Sequence, residues 1–529
     1  MQRNRSFADA SPALRFSPLG SSRAMQKSFT LTLLLLLTAC LLCSTVARAK
    51  QTPTTAPAVT ITPTVGPPTT RVLVSGFGFD PYATVDIYFD TTDLAQTTTD
   101  GAGAFGGGGS FQGGIAVLAP ASAVPGNHWI TALERSGQKL ARKSFLVRTD
   151  WAQFHFGPDH TGLNPYENVL SPSTVGGLGL KWSYQTAGPV RSSPAVVNGV
   201  VYVGSDDNNL YALNATTGAL LWKYTTGGQV ESSPAVANGV VYVGSDDRNL
   251  YALNATTGAL LWQYATGGGV ESSPTVGRWV YFGSGDKNLY ALDASTGALL
   301  WQYKTAEGIG SSPALGVGRG HDLVFFGSED PNNWNAGTFF ALDANTGALV
   351  WSTFVGNSQS GYVGFSSPAF DSGGPGPPKV FVAVNTDSQQ MQFGGMVCLN
   401  TPFGGINWQQ PLGGPATSPA VAYGMVYAGA SGAYYGKWPP SLYAMSEGGI
   451  MMWQYTLNGG SNSSPAVANG VVYFPAGDGN LIALNASTGA LLWSYTIGSE
   501  SSPAVVNGMV YVGSDDGSVY AFGLTGGSH

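Results

Sequence analysis

The sequence predicts an all-β protein, an eight-bladed β-propeller preceded by a small β-sandwich. Three observations carry this. Of 529 residues, 74 are glycine and only 10% are charged, where an ordinary soluble domain carries about 25% charge. That leaves little for helix faces to present to water and few i,i+4 pairs. A unit of roughly 40 residues recurs to the C-terminus, the mark of a solenoid or propeller. Each unit holds four strand-like segments separated by turn signals, the make-up of one blade. The hydrophobic content of 43% excludes a disordered chain.

The chain opens with a leader. Lys27 is followed by an uncharged run from Phe29 to Val46 and then by Ala47-Arg48-Ala49. A basic start, an apolar centre and a small-residue exit describe a secretory signal peptide over residues 1–49. Met25 gives a more ordinary start, which makes 1–24 a candidate gene-model extension. Leu37-Thr38-Ala39-Cys40 resembles a lipoprotein cleavage box, so anchoring through Cys40 is a second reading and a retained single span a third. No other stretch is long and apolar enough to span a bilayer, so no spanning domain is expected in the mature chain. Cleavage after Ala49 removes Arg3, Arg5, Arg15, Arg23, Lys27 and Arg48 with one acid, Asp9, and takes the net charge from −7 to −12. That balance weighs against nucleic acid and anionic membranes as partners. Cys40 and Cys43 leave with the leader, so Cys398 stands alone and no internal disulfide is available.

Residues 50–70 are dominated by Pro and Thr and read as an extended linker. From 71 to 149, apolar and polar positions alternate between turn signals, as in "RVLVSGFGF", "TVDIYFD" and "NHWITALE", which is the pattern of a small β-sandwich. This module contains Gly101-Ala102-Gly103-Ala104-Phe105-Gly106. A dinucleotide fingerprint must open a helix, and the "GGGSFQGG" that follows cannot, so the motif reads as a turn.

The repeat fills 150–529. Trp182, Trp222, Trp262, Trp301, Trp351, Trp408, Trp453 and Trp493 hold one position, at spacings of 40, 40, 39, 50, 57, 45 and 40. A unit runs S-S-P-A-V, then an N-G hairpin turn such as Asn198-Gly199, then V-V-Y-V, an Asp/Asn turn, L-Y-A-L, an [N/D]-A-x-T-G turn and A-L-L-W-x-Y. Trp at one position per unit suits packing between blades. Eight S-S-P or T-S-P segments give eight blades, and the last unit stops before its fourth strand. A ring of sheets must close or expose two edges, so the strand 180–184 is predicted to complete the last blade.

The segment [N/D]-A-x-T-G-x-x-x-W, as in Asn214-Ala215-Thr216-Thr217-Gly218 to Trp222, is similar to the pyrroloquinoline quinone-type repeat. The stretch from Trp151 through Gly162 and Asn164 to Trp182 resembles the lead-in of that superfamily. The first module resembles the immunoglobulin-like modules of bacterial surface proteins. The superfamily resemblance implies the propeller, and it implies three functions: a quinoprotein dehydrogenase using pyrroloquinoline quinone with calcium, an outer-membrane protein assembly factor, or another non-catalytic propeller. The dehydrogenases carry a vicinal disulfide over the cofactor, a calcium site and an Asp base. This chain shows none of those motifs, so no cofactor, no metal and no catalytic residue is expected.

Two residue sets resist a purely structural reading. Arg191, Glu231, Glu271 and Glu500 precede the Ser-Ser pairs of neighbouring units and should line one side of the channel mouth. Units four to six carry insertions between their second and third strands, including Trp334, Gln389, Phe393, Tyr434, Tyr435 and Trp438. These aromatic and amide residues should crowd one sector of one face, a composition suited to recognising protein, peptide or glycan. The Asp pairs 206–207, 246–247 and 515–516 read as turn formers, and the five histidines show no metal-ligand spacing. The expected role is an exported, non-catalytic binding or scaffold module at the cell surface.

Overall fold

The computed structural model describes residues 55–526 except 108–112, 330–336, 356–365, 374–375, 385–393, 415, 433–437 and 499–500. The leader lies outside the described residues. Two sheets form the first module: Ala58–Thr62, Arg71–Phe77 and Ile115–Leu118 in one, and Val65–Gly66, Leu140–Val147, Gly126–Glu134, Thr84–Phe89 and Thr92–Thr98 in the other. Alternate residues of both, among them Val72, Val74, Val85, Ile87, Ile130 and Phe145, meet in one core. The expected linker needs correcting. Its residues 58–66 supply a strand to each sheet, because Val59 and Ile61 alternate inward between threonines despite the surrounding prolines. The glycine motif is a turn: the Asp100 carboxylate accepts the Ala102 and Ala104 N–H groups at 2.8 and 2.9 Å.

Eight antiparallel sheets follow, each of four strands, seven of them in sequence order, and one of these gains the short parallel strand Leu163–Asn164. Blade one comprises Ala195–Val197, Val200–Ser205, Asn209–Asn214 and Leu220–Thr225. The last blade takes its outer strand from the front of the domain: Leu178–Gln185 pairs with Ser518–Leu524, setting Trp182 opposite Ala521. The ring therefore closes as the truncated eighth unit requires.

One joint repeats between blades. Each of the eight tryptophans donates its indole N–H to a backbone carbonyl of the next blade, from Trp182 to Ala215 at 2.9 Å through to Trp493 to Leu178 at 3.1 Å. In seven of the eight joints a glycine of the neighbouring turn, most often that of a T-G pair, lies against the ring. Gly218 has φ +71°, and a Cβ there would sit 2.7 Å from the Trp182 ring. The residue is glycine on both counts, left-handed backbone and close approach. The sequons at Asn214, Asn254 and Asn485 belong to this same turn, where each side-chain oxygen accepts the backbone N–H groups two and three residues on.

The lead-in from Trp151 to Asn164 caps one end of the channel. It meets the innermost strand of every blade, in order. Trp151 pairs with Val196, Ala152 accepts from Val236, and Gln153 accepts from Val276. Pro158, Asp159, Thr161 and Gly162 accept from Leu315, Phe370, Val421 and Val467, and Asn164 donates to Val505. These bonds satisfy strand N–H groups that burial would otherwise leave unpaired. Two histidines of the cap, His155 and His160, are wholly buried. Thr275 gives its hydroxyl proton to Pro313 O, so it accepts from His160 Nε2 at 2.9 Å. Burial lowers both rings from the ordinary imidazole range, His155 to about 4 and His160 to about 3.

Candidate functional site

The innermost strands run from an open mouth to the capped end. At the mouth, the second serine of each S-S-P segment links to the next blade. The Ser193 N–H donates to Ser233 Oγ, and the pattern continues through Ser273, Ser312, Ser367 and Ser418 at 2.9–3.0 Å. It resumes from Ser464 to Ser502, and Ser502 closes on Ser193 at 3.2 Å. A belt of buried hydroxyls thus underlies the mouth and fixes the residues just before it.

The Asp pairs divide their work. The second member makes the turn: Asp207 Oδ1 accepts the Asn209 N–H at 3.1 Å, and its Oδ2 accepts the Tyr211 hydroxyl at 2.6 Å and the Ala187 N–H at 2.9 Å. Burial pushes this carboxyl up, but the hydrogen bonds outweigh it and the net shift is downward. Ala187 lies in the connection from a fourth strand to the next first strand. The contact therefore confirms that both kinds of connection share the mouth face. The first member joins the mouth instead. Arg191 reaches Asp206, Glu231 at 3.3 Å and Asp515 at 3.6 Å. Burial raises the carboxyls of Asp206, Asp246 and Glu271, against the Arg191 charge at Asp206, and the neighbouring carboxylates add to the rise. Asp206, Glu231 and Asp515 thus share the Arg191 guanidinium, and Asp246 and Glu271 extend the acidic side toward blades two and three. The opposite side presents Gly310, Ala416 and Asn462.

The structure places Arg191 against Glu231, with Glu271 beside Glu231 and Asp246. Glu500 lies outside the described residues. Asp206, Asp246 and Asp515 were read only as turn residues, and the pairing gave no signal that its two members point apart. Replacing Arg191 with Gln should expose this electrostatics. The Asp206 side chain is only 5% exposed, and leaving it without its guanidinium costs about 1–3 kcal/mol at neutral pH. The loss should shrink as pH falls and the raised carboxyl takes up a proton. Thermal unfolding of both proteins across pH 4–8 reads it, and a pH-independent difference would refute it.

The comparisons with known proteins agree with this architecture. A family model described as outer membrane protein assembly factor BamB matches residues 126–324, 335–446 and 440–528. The chain belongs to this family. No curated protein sequence matches it significantly. Among solved structures, a europium-containing methanol dehydrogenase aligns with a TM-score of 0.61 at 16% identity, covering 71% of this chain and 98% of that one. The quinohemoprotein alcohol dehydrogenase from Comamonas testosteroni gives 0.61 at 18% identity over 72% and 81%. BamB from Moraxella catarrhalis gives 0.51 at 18% identity over 65% and 99%. At these identities the likeness shows the fold alone.

On this BamB-family propeller the long connections fall where expected. In blades four, five and six the second and third strands are separated by 330–336, 385–394 and 431–440, against 206–208 in blade one. Of the six residues singled out there, Trp334, Gln389, Phe393, Tyr434 and Tyr435 lie outside the described residues. Trp438 is described: it is half-buried, with its ring against Gly413. The first module docks on the other, capped face. Thr149 and Asn507 exchange two hydrogen bonds at 2.9 and 2.8 Å, Arg148 meets Asn198, and Asn168 donates to Ala123 at 2.8 Å. Asn198 and Asn507 are the N-G turns of blades one and eight. Cys398 is free and buried. No described helix is long and apolar enough to cross a membrane.

Proposed function

We propose that the protein is an exported, non-catalytic scaffold that binds a protein partner of the cell envelope through its mouth face. The observation that carries this is the asymmetry of the two faces. One is closed by the Trp151–Asn164 cap and covered in part by the first module. The other bears the acidic crescent and the long connections of blades four to six. Loops gathered on a rigid scaffold are where binding surfaces are built. The match to a family described as an assembly factor supports a protein as the partner, and the signal peptide supports export, with Cys40 as an alternative anchor. An immunoglobulin-like role for the sandwich, as a spacer at the cell surface, belongs to the same reading. A glycan remains the second class of ligand the aromatic inserts suit.

The described residues do not fit pyrroloquinoline quinone with its calcium. That quinone carries carboxylates and calls for cationic partners or a bound metal, whereas the charged side chains the described mouth gathers around Arg191 are carboxylates. No group of three His, Cys, Asp or Glu among the described residues is arranged to hold a metal. No step is derived through the group. The test has two arms. Replacing Trp334, Tyr435 and Trp438 together with Ala should abolish recovery of the envelope partner from cross-linked cells while thermal unfolding is unchanged. Unchanged recovery would sink the proposed face. A dye-linked oxidation of alcohols that depends on added quinone and Ca²⁺ would replace the scaffold reading with an oxidoreductase.

A further inference from the structure

A tyrosine slot repeats between blades, and in blade seven it lacks its tyrosine. In blades one, two and three the third strand supplies Tyr211, Tyr251 and Tyr290. Each ring packs on a tyrosine of the preceding blade's outer strand, Tyr184, Tyr224 or Tyr264, with centroids 5.6–5.7 Å apart. Each hydroxyl donates to the turn aspartate of its own blade, Asp207, Asp247 or Asp286, at 2.6–2.7 Å. Tyr520 does the same to Asp516 in blade eight at 2.6 Å.

Blade seven keeps the surroundings and loses the ring. Tyr455 still stands on the preceding outer strand, and Asp478 still makes its turn, accepting the Asn480 N–H at 3.1 Å. The tyrosine position is Ile482. The residue paired with it across the sheet is Ser494, where Lys223, Gln263 and Gln302 stand in blades one to three. Both truncations open onto the same space, a groove of about 190 Å³ lined by Tyr455, Leu457, Asp478, Ile482, Leu491 and Ser494. Asp478 is exposed there, while Asp207, Asp247 and Asp286 are half-buried. The hydrogen-bonding capacity is also present. Asp247 Oδ2 accepts both the Gly227 N–H at 2.6 Å and the Tyr251 hydroxyl. Asp478 Oδ2 accepts Asn458 Nδ2 at 3.2 Å in the first role, and a carboxylate oxygen has a second lone pair for a hydroxyl.

We propose that this groove between blades six and seven receives a tyrosine side chain from the partner protein. Its ring packs on Tyr455 and Ile482, and its hydroxyl donates to Asp478. Blades one to three define the occupant: they fill the same slot with a phenol held by the same two groups, whereas blades four and five, with Phe340 and Val397 at this position, fill it without a phenol. The volume lies below the roughly 300 Å³ at which whole small-molecule sites begin, and suits one side chain. The groove opens on the mouth face, so the inference rests on the scaffold reading and names a chemical determinant of the partner. A buried aromatic anchor with a polar tip is the kind of residue that dominates interface energies.

The test uses the full chain and N-acetyl-tyrosinamide as probe, followed by NMR saturation transfer. The wild type should bind it saturably with roughly millimolar affinity, and N-acetyl-phenylalaninamide at least fivefold more weakly. Ile482→Tyr should fill the slot from within, weaken probe binding at least tenfold and leave the unfolding midpoint no lower. Ser494→Gln narrows the groove from the outer strand and should also weaken binding, which keeps the test alive if the first variant misfolds. No saturable binding to the wild type, or equal binding by the folded variants, overturns the proposal. Equal affinity for the two probes overturns the role of Asp478. Probe binding is independent of partner recovery, so failure of the scaffold reading would show in the recovery experiment alone.

Discussion

Replacing Trp182 with Ala is expected to lower the free energy of unfolding by about 3–5 kcal/mol, the usual cost of truncating a buried large aromatic. Its ring is 8% exposed. It lies on Gly218 and Tyr511 and donates to the Ala215 carbonyl, so the truncation leaves a void and removes one of the two hydrogen bonds to that carbonyl, the other coming from the Tyr511 hydroxyl at 3.1 Å. The position adds to the effect. Trp182 lies on the strand that returns from the front of the domain to complete blade eight, and it grips blade one. It therefore works at the seam, where two distant parts of the chain meet. Trp222 makes the same joint between two consecutive units and is only half-buried. Trp222→Ala should cost somewhat less, in proportion to the smaller area it hides. Urea unfolding of the two variants checks the ranking. Equal losses would mean that the seam has no special share in stability.

Acidification should destabilise the propeller from about pH 6.5 downward, before most carboxylates titrate. In the folded cap, burial holds His155 near 4 and His160 near 3, while both rings take up protons at about 6.5 once unfolded. Below that pH the unfolded chain binds more protons than the folded one, so stability falls as pH falls. The stabilisation is fully present above 6.5 and is lost progressively down to the folded values. For His155 alone the loss amounts to roughly 3 kcal/mol by pH 4, at about 1.4 kcal/mol per pKa unit. Asp159 in the same cap has a carboxyl raised by burial, and its protonation works in the opposite sense. His155→Gln should flatten the slope of unfolding free energy between pH 6.5 and 4.5 relative to the wild type. An unchanged slope would show that the cap histidines do not set the acid limit.

Most of the fold was legible because the sequence states it eight times. The tryptophan register, the N-G turns and the missing last strand each had one structural solution, and the ring closes as they required. The spacer was misplaced because Pro and Thr content outweighed the alternation of Val59 and Ile61 over a strand of five residues. The mouth was legible in part. Arg191, Glu231 and Glu271 follow from their place before the serines. Adjacent aspartates give no hint that one bonds its own turn while the other faces the channel. The vacant tyrosine slot was hidden for a different reason. Ile482 reads as an ordinary strand residue, and the gap appears only when Ser494, twelve positions on, is brought beside it.

The main run of bonds from the cap, Trp151 to Asn164, reaches the innermost strands of the eight blades in sequence, from Val196 to Val505. Such a segment works as a tally. A ring with one unit fewer would leave one of its bonds without a partner, and a ring with one more would leave a blade uncapped. Whole-unit duplication, the event that built the array, is thereby made costly once the array is finished. The chain can lengthen individual connections, as blades four to six have done, but it cannot readily change the number of blades.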